Sequence, residues 1–287
     1  MMRSKLLELV DKTKSLPHYP KLVTRLERLL QDENCDRYQI AGLIKTAPVL
    51  TGIILNQANS AYYGGSISGM IVNLPDAISK LGFENIREIV ISIELSNLFS
   101  DCVTTDPRQF WRHSLAVATF SQLLCHRVGS SEEEIEMCYL AGLMHDIGIM
   151  VFCQLIPDEY SKFISEVSSE EKLIDELEKD RFAIDHAELG AHFIKTKWVM
   201  DQKIINCVRH HHSPEADTSK SRRLTQLINI ANGICSYSGM GNGIDVFQTI
   251  FNDNAWLDLG LTLDDAEDIL EEVKTSIGHA EDLLKLN

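Results

Sequence analysis

The sequence predicts an all-α protein, and three observations carry that prediction. Apolar residues recur at helical spacing through nearly the whole chain, helix start and stop residues bracket those stretches, and strand alternation flanked by turn dipeptides is absent. The expected architecture is a multi-helix bundle in three parts: an N-terminal helical subdomain over 1–105 packed on a second helical core over 106–240, then a helical tail over 241–287.

The elements follow in chain order. "PKLVTRLERLLQ" (20–31) spaces Leu22, Leu26, Leu29 and Leu30 along a helix whose first turn holds a proline. "DRYQIAGLIKTA" (36–47) repeats the pattern through Ile40, Leu43 and Ile44, and "VLTGIILNQANSAYYGG" (49–65) stops at a glycine pair. The segment 73–99 reads as a short helix, a turn at Gly82 and a longer helix; its run "IREIVISIEL" is strand-like by propensity, but all its neighbours are helical. Asp106-Pro107 marks a break. An amphipathic helix over 109–129 closes at Gly129, and the next starts with Ser131 as N-cap and acids in its first turn. Residues 157–180 are acidic and helical, most simply a solvated outer face. "AIDHAELGAHFIKTKWV" and "QKIINCVRHHHSP" are two further helices, the second stopped by Pro214, and 213–222 is a polar loop. "LTQLINIANGICSYSG" and "LTLDDAEDILEEVKTSIGHAEDLLKLN" complete the chain, the last with Thr262 as N-cap and Asp265 three residues on.

Composition narrows the function classes. Twenty-seven basic residues against 42 acids leave a net charge of −15, which works against a nucleic-acid role because such binders neutralise phosphates with Lys and Arg. The best basic run, "KSRR" (220–223), reads more simply as a solvated loop. Seven scattered cysteines without a CxxC argue against a disulfide framework or a cysteine zinc site and fit a reducing cytoplasm. The N-terminal stretch lacks the apolar core of a signal peptide, and no run of about 18 apolar residues occurs, so no membrane span is expected.

One stretch stands out. "LAGLMHDIGIM" (140–150) sets His145 beside Asp146 in an otherwise apolar segment, where an unpartnered carboxylate is costly. His113 lies on the helix before, His186 on a later one, and His211 and His212 at the end of the helix after that. Four packed helices can aim such side chains at one point, and imidazole with carboxylate suits a divalent transition metal: iron, zinc, nickel or manganese. Taken singly, each histidine is more often a hydrogen-bonded core residue, and His210 to His212 alone would read as cations at a helix C-terminus. His18, His126, His192 and His279 carry only that plain reading.

The order His113, His145-Asp146, His186, His211-His212 resembles the HD superfamily of metal-dependent phosphohydrolases, and more specifically the HDOD family, a signalling relative of the HD-GYP phosphodiesterases. Independent motifs carry the same resemblance: "LPHYPKLVTRLERLLQD", "IKTAPVLTGIILNQANSAYYG" and "VNLPDAISKLGFENIREIVIS". It covers about residues 15–236. The resemblance implies that His145 and Asp146 are the shared ligands and the catalytic pair of an active enzyme. It implies that His113 completes one metal's shell and that His186, His211 and His212 serve a second, for one or two ions in all. His210 is a one-residue alternative register for the histidine pair, and the closing acid of the superfamily falls on Asn232. Asn232 offers a neutral amide oxygen where an anion is expected; Ile149 stands where active phosphodiesterases often carry Lys; the GYP segment is absent; and Ala47 replaces the acid usual before Pro48. Ligands kept and catalytic groups lost imply a cytoplasmic signal-transduction output protein with a metal site and weak or no turnover, working through protein partners. The alternative is a metal-dependent phosphohydrolase or phosphodiesterase acting on a nucleotide or cyclic dinucleotide, with a phosphate-containing small molecule as its ligand. In a third reading the histidines serve hydrogen bonds alone.

Overall fold

The computed structural model describes residues 2–60, 70–99, 106–167, 172–244, 256 and 259–284. The described residues form helices α1 (Met2–Lys12), α2 (Lys21–Leu30), α3 (Arg37–Ile44), α4 (Pro48–Asn59), α5 (Leu74–Leu81), α6 (Phe83–Ser96), α7 (Pro107–Arg127), α8 (Glu132–Met144), α9 (Ile147–Leu155), α10 (Pro157–Val167), α11 (Ile174–Phe182), α12 (His186–Phe193), α13 (Gln202–His210), α14 (Arg222–Tyr237) and α15 (Leu263–Leu284), with no β-strand among them. By internal contacts the chain falls into two compact units, Tyr19–Leu98 with Asp282–Asn287, and Met1–His18 with Phe99–Glu281. The division between Leu98 and Phe99 lies near the Asp106-Pro107 break; the one after His18 has no sequence signal read above.

In the smaller unit, local chemistry sets the helix starts. Asp36 accepts hydrogen bonds from the Tyr38 and Gln39 amides while the Gln39 Oε1 accepts one from the Asp36 N–H, a capping box. Asn73 caps α5 through the Asp76 amide, and Gly82, at φ +83°, turns α5 into α6. The run 86–95 is helical within α6, as its neighbours dictate, and buries Ile86, Val90, Ile91, Ile93 and Leu95. Tertiary packing overrides the strand propensity of these β-branched residues. Asn59, at the end of α4, accepts from the Ile71 amide at 2.9 Å and donates to the Ile71 carbonyl at 2.8 Å, tying the helix end to the chain beyond. The rest of the motif at 61–65 lies outside the described residues.

The larger unit is built on α7, which packs against α8 and α14, and on α12, which packs against α9 and α13. Ser131 and Glu134 make the capping box at the start of α8, and Thr262 and Asp265 exchange the same reciprocal bonds at α15. Two features depart from the sequence reading. The stretch begun at Ser131 is two helices, broken at His145-Asp146. Over an 18-residue window Glu132–Leu155 has a mean hydropathy of 1.4, apolar enough for a membrane span by composition alone, but 89% of that window is buried inside the protein. The segment 157–180 is not simply a solvated face: Tyr160, Phe163, Ile174, Asp175 and Glu178 are buried, because Tyr160 stacks on Phe152 and both rings pack with Phe182. The acidic count hid an apolar stripe with two carboxylates inside it.

Candidate metal centre

Each ligand residue is placed by a backbone feature. His113 sits in the middle of α7, facing inward at 0% exposure. His145 and Asp146 occupy the break between α8 and α9, where Asp146 leaves helical geometry at φ −95°, ψ 7°. The break aims both side chains into one cavity instead of leaving them about 100° apart on a continuous helix. His186 is the first residue of α12, fixed by Asp185, whose carboxylate caps the helix through the Glu188 amide. His211 and His212 follow the last residue of α13.

Asp146 divides the centre in two. Its Oδ2 lies 3.2 Å from His145 Nε2 and 3.6 Å from His113 Nε2. Its Oδ1 lies 3.3 Å from His186 Nε2 and 3.5 Å from His211 Nε2, and His186 Nε2 is 2.8 Å from His212 Nε2. The ligand atoms of Asp146, His186, His211 and His212 all fall within 4.8 Å of one another, as do those of His113, His145 and Asp146. Metal–nitrogen bonds of about 2.0–2.1 Å at the tetrahedral angle put neighbouring ligand atoms roughly 3.3 Å apart, which is the scale of these separations.

The tautomers follow from the second ring nitrogen. Nδ1 of His113 lies 2.6 Å from the Met240 carbonyl, Nδ1 of His145 2.7 Å from that of Gly142, and Nδ1 of His211 2.8 Å from that of Val208. A carbonyl only accepts, so each Nδ1 carries the proton and each neutral ring turns an Nε2 lone pair into the centre. Two of those lone pairs, on His113 and His145, face each other at 3.2 Å, and His211 Nε2 is buried with no hydrogen-bond partner. Facing lone pairs repel unless a cation lies between them. Burial, then the neighbouring His145, holds the His113 imidazole down at about 4, and burial also lowers His211 and His212. These three rings resist protonation, so a metal ion supplies the positive charge better than protons do. The residues fit the metal.

Asp146 and His186 show the opposite balance. Burial alone would raise the Asp146 carboxyl, but the surrounding imidazoles, His145 first, hold it well below the usual range. Burial likewise opposes a charged His186, and Glu178 outweighs it, so that imidazole is raised well above its ordinary value. Glu178 is fully buried; its Oε2 accepts from the His186 amide at 2.6 Å and from His186 Nδ1 at 2.7 Å, and its Oε1 accepts from Tyr160 Oη at 2.6 Å. A carboxylate behind a ligand histidine fixes the ring and raises its basicity.

Six of the seven ligand candidates converge; Asn232 does not join them. It is buried on α14, but its amide oxygen accepts from Ser236 Oγ one turn along the same helix at 3.4 Å, and no hydrogen bond ties it to the histidines or to Asp146. His210 is half-buried outside both ligand groups. Two participants escaped the sequence reading. Glu178 was hidden in the acidic segment. Asn242, in the turn after α14, donates from Nδ2 to Asp146 Oδ2 at 2.8 Å, while Ile244 N–H donates to its Oδ1 at 3.1 Å and fixes the amide's orientation. Its "GNG" setting marked a turn and nothing more.

Comparison with known proteins places this geometry. The family model for the HDOD domain matches residues 16–214, well over half of the chain. The chain belongs to the HDOD family. An uncharacterised protein of Treponema pallidum (strain Nichols) is 23% identical over 229 residues, which cover 78% of this chain and 43% of that protein; the HDOD chain thus spans less than half of that relative's length. Among solved structures, an HDOD domain protein of unknown function from Geobacter sulfurreducens is 24% identical with a TM-score of 0.78, covering 99% of this chain and 98% of its own. A candidate signal transduction protein from Marinobacter aquaeolei VT8 is 18% identical with a TM-score of 0.77, over 99% of this chain and 65% of that one. A candidate phosphohydrolase from Shewanella amazonensis SB2B is 20% identical with a TM-score of 0.71, over 99% of each chain. At these identities the likeness establishes the shared HDOD fold.

Proposed function

We propose that this HDOD protein is a cytoplasmic signal-transduction output component whose core holds one or two divalent transition-metal ions, with weak or no turnover. The observation that carries the reading is a ligand set closed off from solvent. His113, His145, Asp146, His186 and His211 are each at most 3% exposed, and only His212 is half-buried. A catalytic centre needs an open position for water and substrate, whereas a centre that tunes a protein contact does not.

Asp146, His186, His211 and His212 would hold one ion, and His113, His145 and Asp146 the other. A bound ion would supply Lewis acidity and a lowered pKa for water. The chain's own residues do the rest: the carbonyls of Met240, Gly142 and Val208 hold three rings in the Nδ1–H form, and Glu178 anchors the fourth. Position 149, where a phosphate-binding lysine would stand, is a buried isoleucine. One observation favours the second reading, a phosphohydrolase: a cavity with Lys179 and Arg209 in its lining touches His212.

Elemental analysis of tag-free wild-type protein beside a His145→Ala, Asp146→Ala double variant tests the metal. Near-stoichiometric iron, zinc, nickel or manganese in the wild type, lost in the variant, is the expected result. Metal-free wild type after incubation with each ion overturns it. Hydrolysis of bis(4-nitrophenyl) phosphate by the metal-loaded wild type, abolished in the variant, would replace the signalling reading with the enzymatic one.

A further inference from the structure

The five histidines of the centre differ in how the second ring nitrogen is held. Nδ1 of His113, His145 and His211 is tied to a backbone carbonyl and Nδ1 of His186 to Glu178, but Nδ1 of His212 is buried with no hydrogen-bond partner. His212 is therefore the least restrained ligand. It also lines a cavity of about 280 Å³ whose other lining residues include Lys179, Asp185, Glu188, Arg209 and Ser213. The unanchored ligand and the cavity coincide at one residue.

Most of the charge around that cavity is already matched. Lys179 Nζ sits 2.9 Å from Asp175 Oδ2 and 2.8 Å from Asp185 Oδ2. Glu188 accepts from the Arg3 guanidinium through both Nε and Nη2. Arg209 is the loosest of these charges: its Nη1 forms an ion pair with Glu188 Oε1 at 3.7 Å, beyond hydrogen-bonding reach, and among the described residues its guanidinium makes no hydrogen bond. A guanidinium fork with unused donors, four residues before the hydroxyl of Ser213, matches a phosphate or similar oxyanion.

We propose that this cavity binds a phosphate group through Arg209 and is the access port of the metal centre, opening at His212. The anion subsite stands on Arg209 and the cavity alone; the port rests on the metal reading above. A group entering from solvent meets His212 first, since the other five ligand residues are at most 3% exposed. An occupant held by Arg209 would then block the path by which the ion leaves.

Inorganic phosphate titrated calorimetrically into tag-free wild type, R209Q and R209K, each before and after chelation, tests the subsite. Wild type is expected to bind, R209Q to bind at least tenfold more weakly (about 1.4 kcal/mol), and R209K to fall between, because it keeps the charge without the fork. Circular dichroism melts of the variants establish that they are folded. No binding by wild type, or equal binding by R209Q, overturns the subsite, as does binding that vanishes on chelation yet ignores R209Q, since the phosphate would then sit on the metal. A nucleoside monophosphate run in parallel separates sources: tighter binding with the same Arg209 dependence identifies a phosphate ester, and equal or weaker binding identifies free phosphate. The port has its own readout, the rate of metal release to a chromophoric chelator. Phosphate slows release from wild type and not from R209Q; release indifferent to phosphate overturns the port. If the protein takes up no metal, the metal reading and the port fail together, while the phosphate titration still decides the subsite.

Discussion

Gly148, two residues after Asp146, makes the packing of the centre testable without touching a ligand. A Cβ built on it would lie 1.9 Å from the His186 carbonyl oxygen, 2.7 Å from the His186 carbonyl carbon and 2.8 Å from Gly190 N. All three are backbone atoms of α12, so no rotamer change relieves the clash. Ordinary contact begins at 3.4 Å, so Gly148→Ala requires 3.4 − 1.9 = 1.5 Å of separation between α9 and the start of α12. Overpacking of this kind costs about 1–3 kcal/mol or more, which for a unit of this size lowers Tm by roughly 3–10 °C. The same separation draws His186 away from Asp146, now 3.3 Å distant, so metal affinity falls with stability. Gly52→Ala is the control: it lies in α4, exposed, with nothing within 4 Å of its Cβ, and the better helix propensity of alanine should stabilise it by up to about 1 kcal/mol. Differential scanning calorimetry and metal titration of both variants decide the matter. A Gly148→Ala protein that melts and binds metal like wild type would refute the close approach of the two helices.

Glu178→Gln keeps the size but removes the negative charge behind the His186 ring; metal affinity, measured by chelator competition, should fall about 10–100-fold. Chelation of a metal-loaded sample should lower Tm, because an ion present at 100 times its Kd contributes about 2.7 kcal/mol; an unchanged melt would mean that the ion does not bind the folded core. Asn242→Asp would set a second carboxylate against Asp146 Oδ2, where the amide now donates at 2.8 Å, so the metal-free protein should melt lower and chelator competition should read tighter binding of a second ion. Asp217 is held below its ordinary 3.8: burial opposes the shift, and hydrogen bonds from Ser219, Thr225 and Ser221 outweigh it. Its stabilisation is therefore present above pH 3.8 and lost as pH falls through the lower folded value, so the Tm gap between wild type and Asp217→Asn should close only in strong acid.

The fold was legible because its signals are local. Helical spacing, Ser131 with Glu134, Thr262 with Asp265, and Gly82 at a positive φ each act within a few residues, and each does in the structure what its chemistry requires. The six converging ligand candidates were legible because histidine and aspartate are conspicuous in apolar helices. Glu178 was not, since an acid among acids on a helix gives no sign of which one faces inward; the apolar residues Tyr160, Phe163, Ile174 and Phe182 on the same segments mark the buried stripe. Asn242 acts across 96 residues on Asp146, through a turn whose local pattern specifies only a turn. The α8–α9 break was equally hidden, because "MHDIG" contains no proline and Asp146, though it stands at the N-cap of α9, makes no side-chain capping bond.

The two asparagines near the centre argue about chemistry together. Asn232, on which the resemblance places the closing acid, is a neutral amide that accepts from Ser236, so no anion approaches from α14. Asn242 approaches instead, but the Ile244 amide holds its oxygen and turns its N–H toward Asp146. One carboxylate is thus left to serve both ligand groups, and part of its Oδ2 capacity is spent on an amide. With His113 and His145 the weakened Oδ2 makes up the second group's three candidate ligands, while the first has three histidines and the Oδ1 that faces His186 and His211. A two-metal phosphate site depends on comparable ions clamping the attacking and leaving oxygens. In the proposed reading, such unequal halves would hold one ion more tightly than the other, and an enclosed ion would set the helix positions around it rather than turn over substrate.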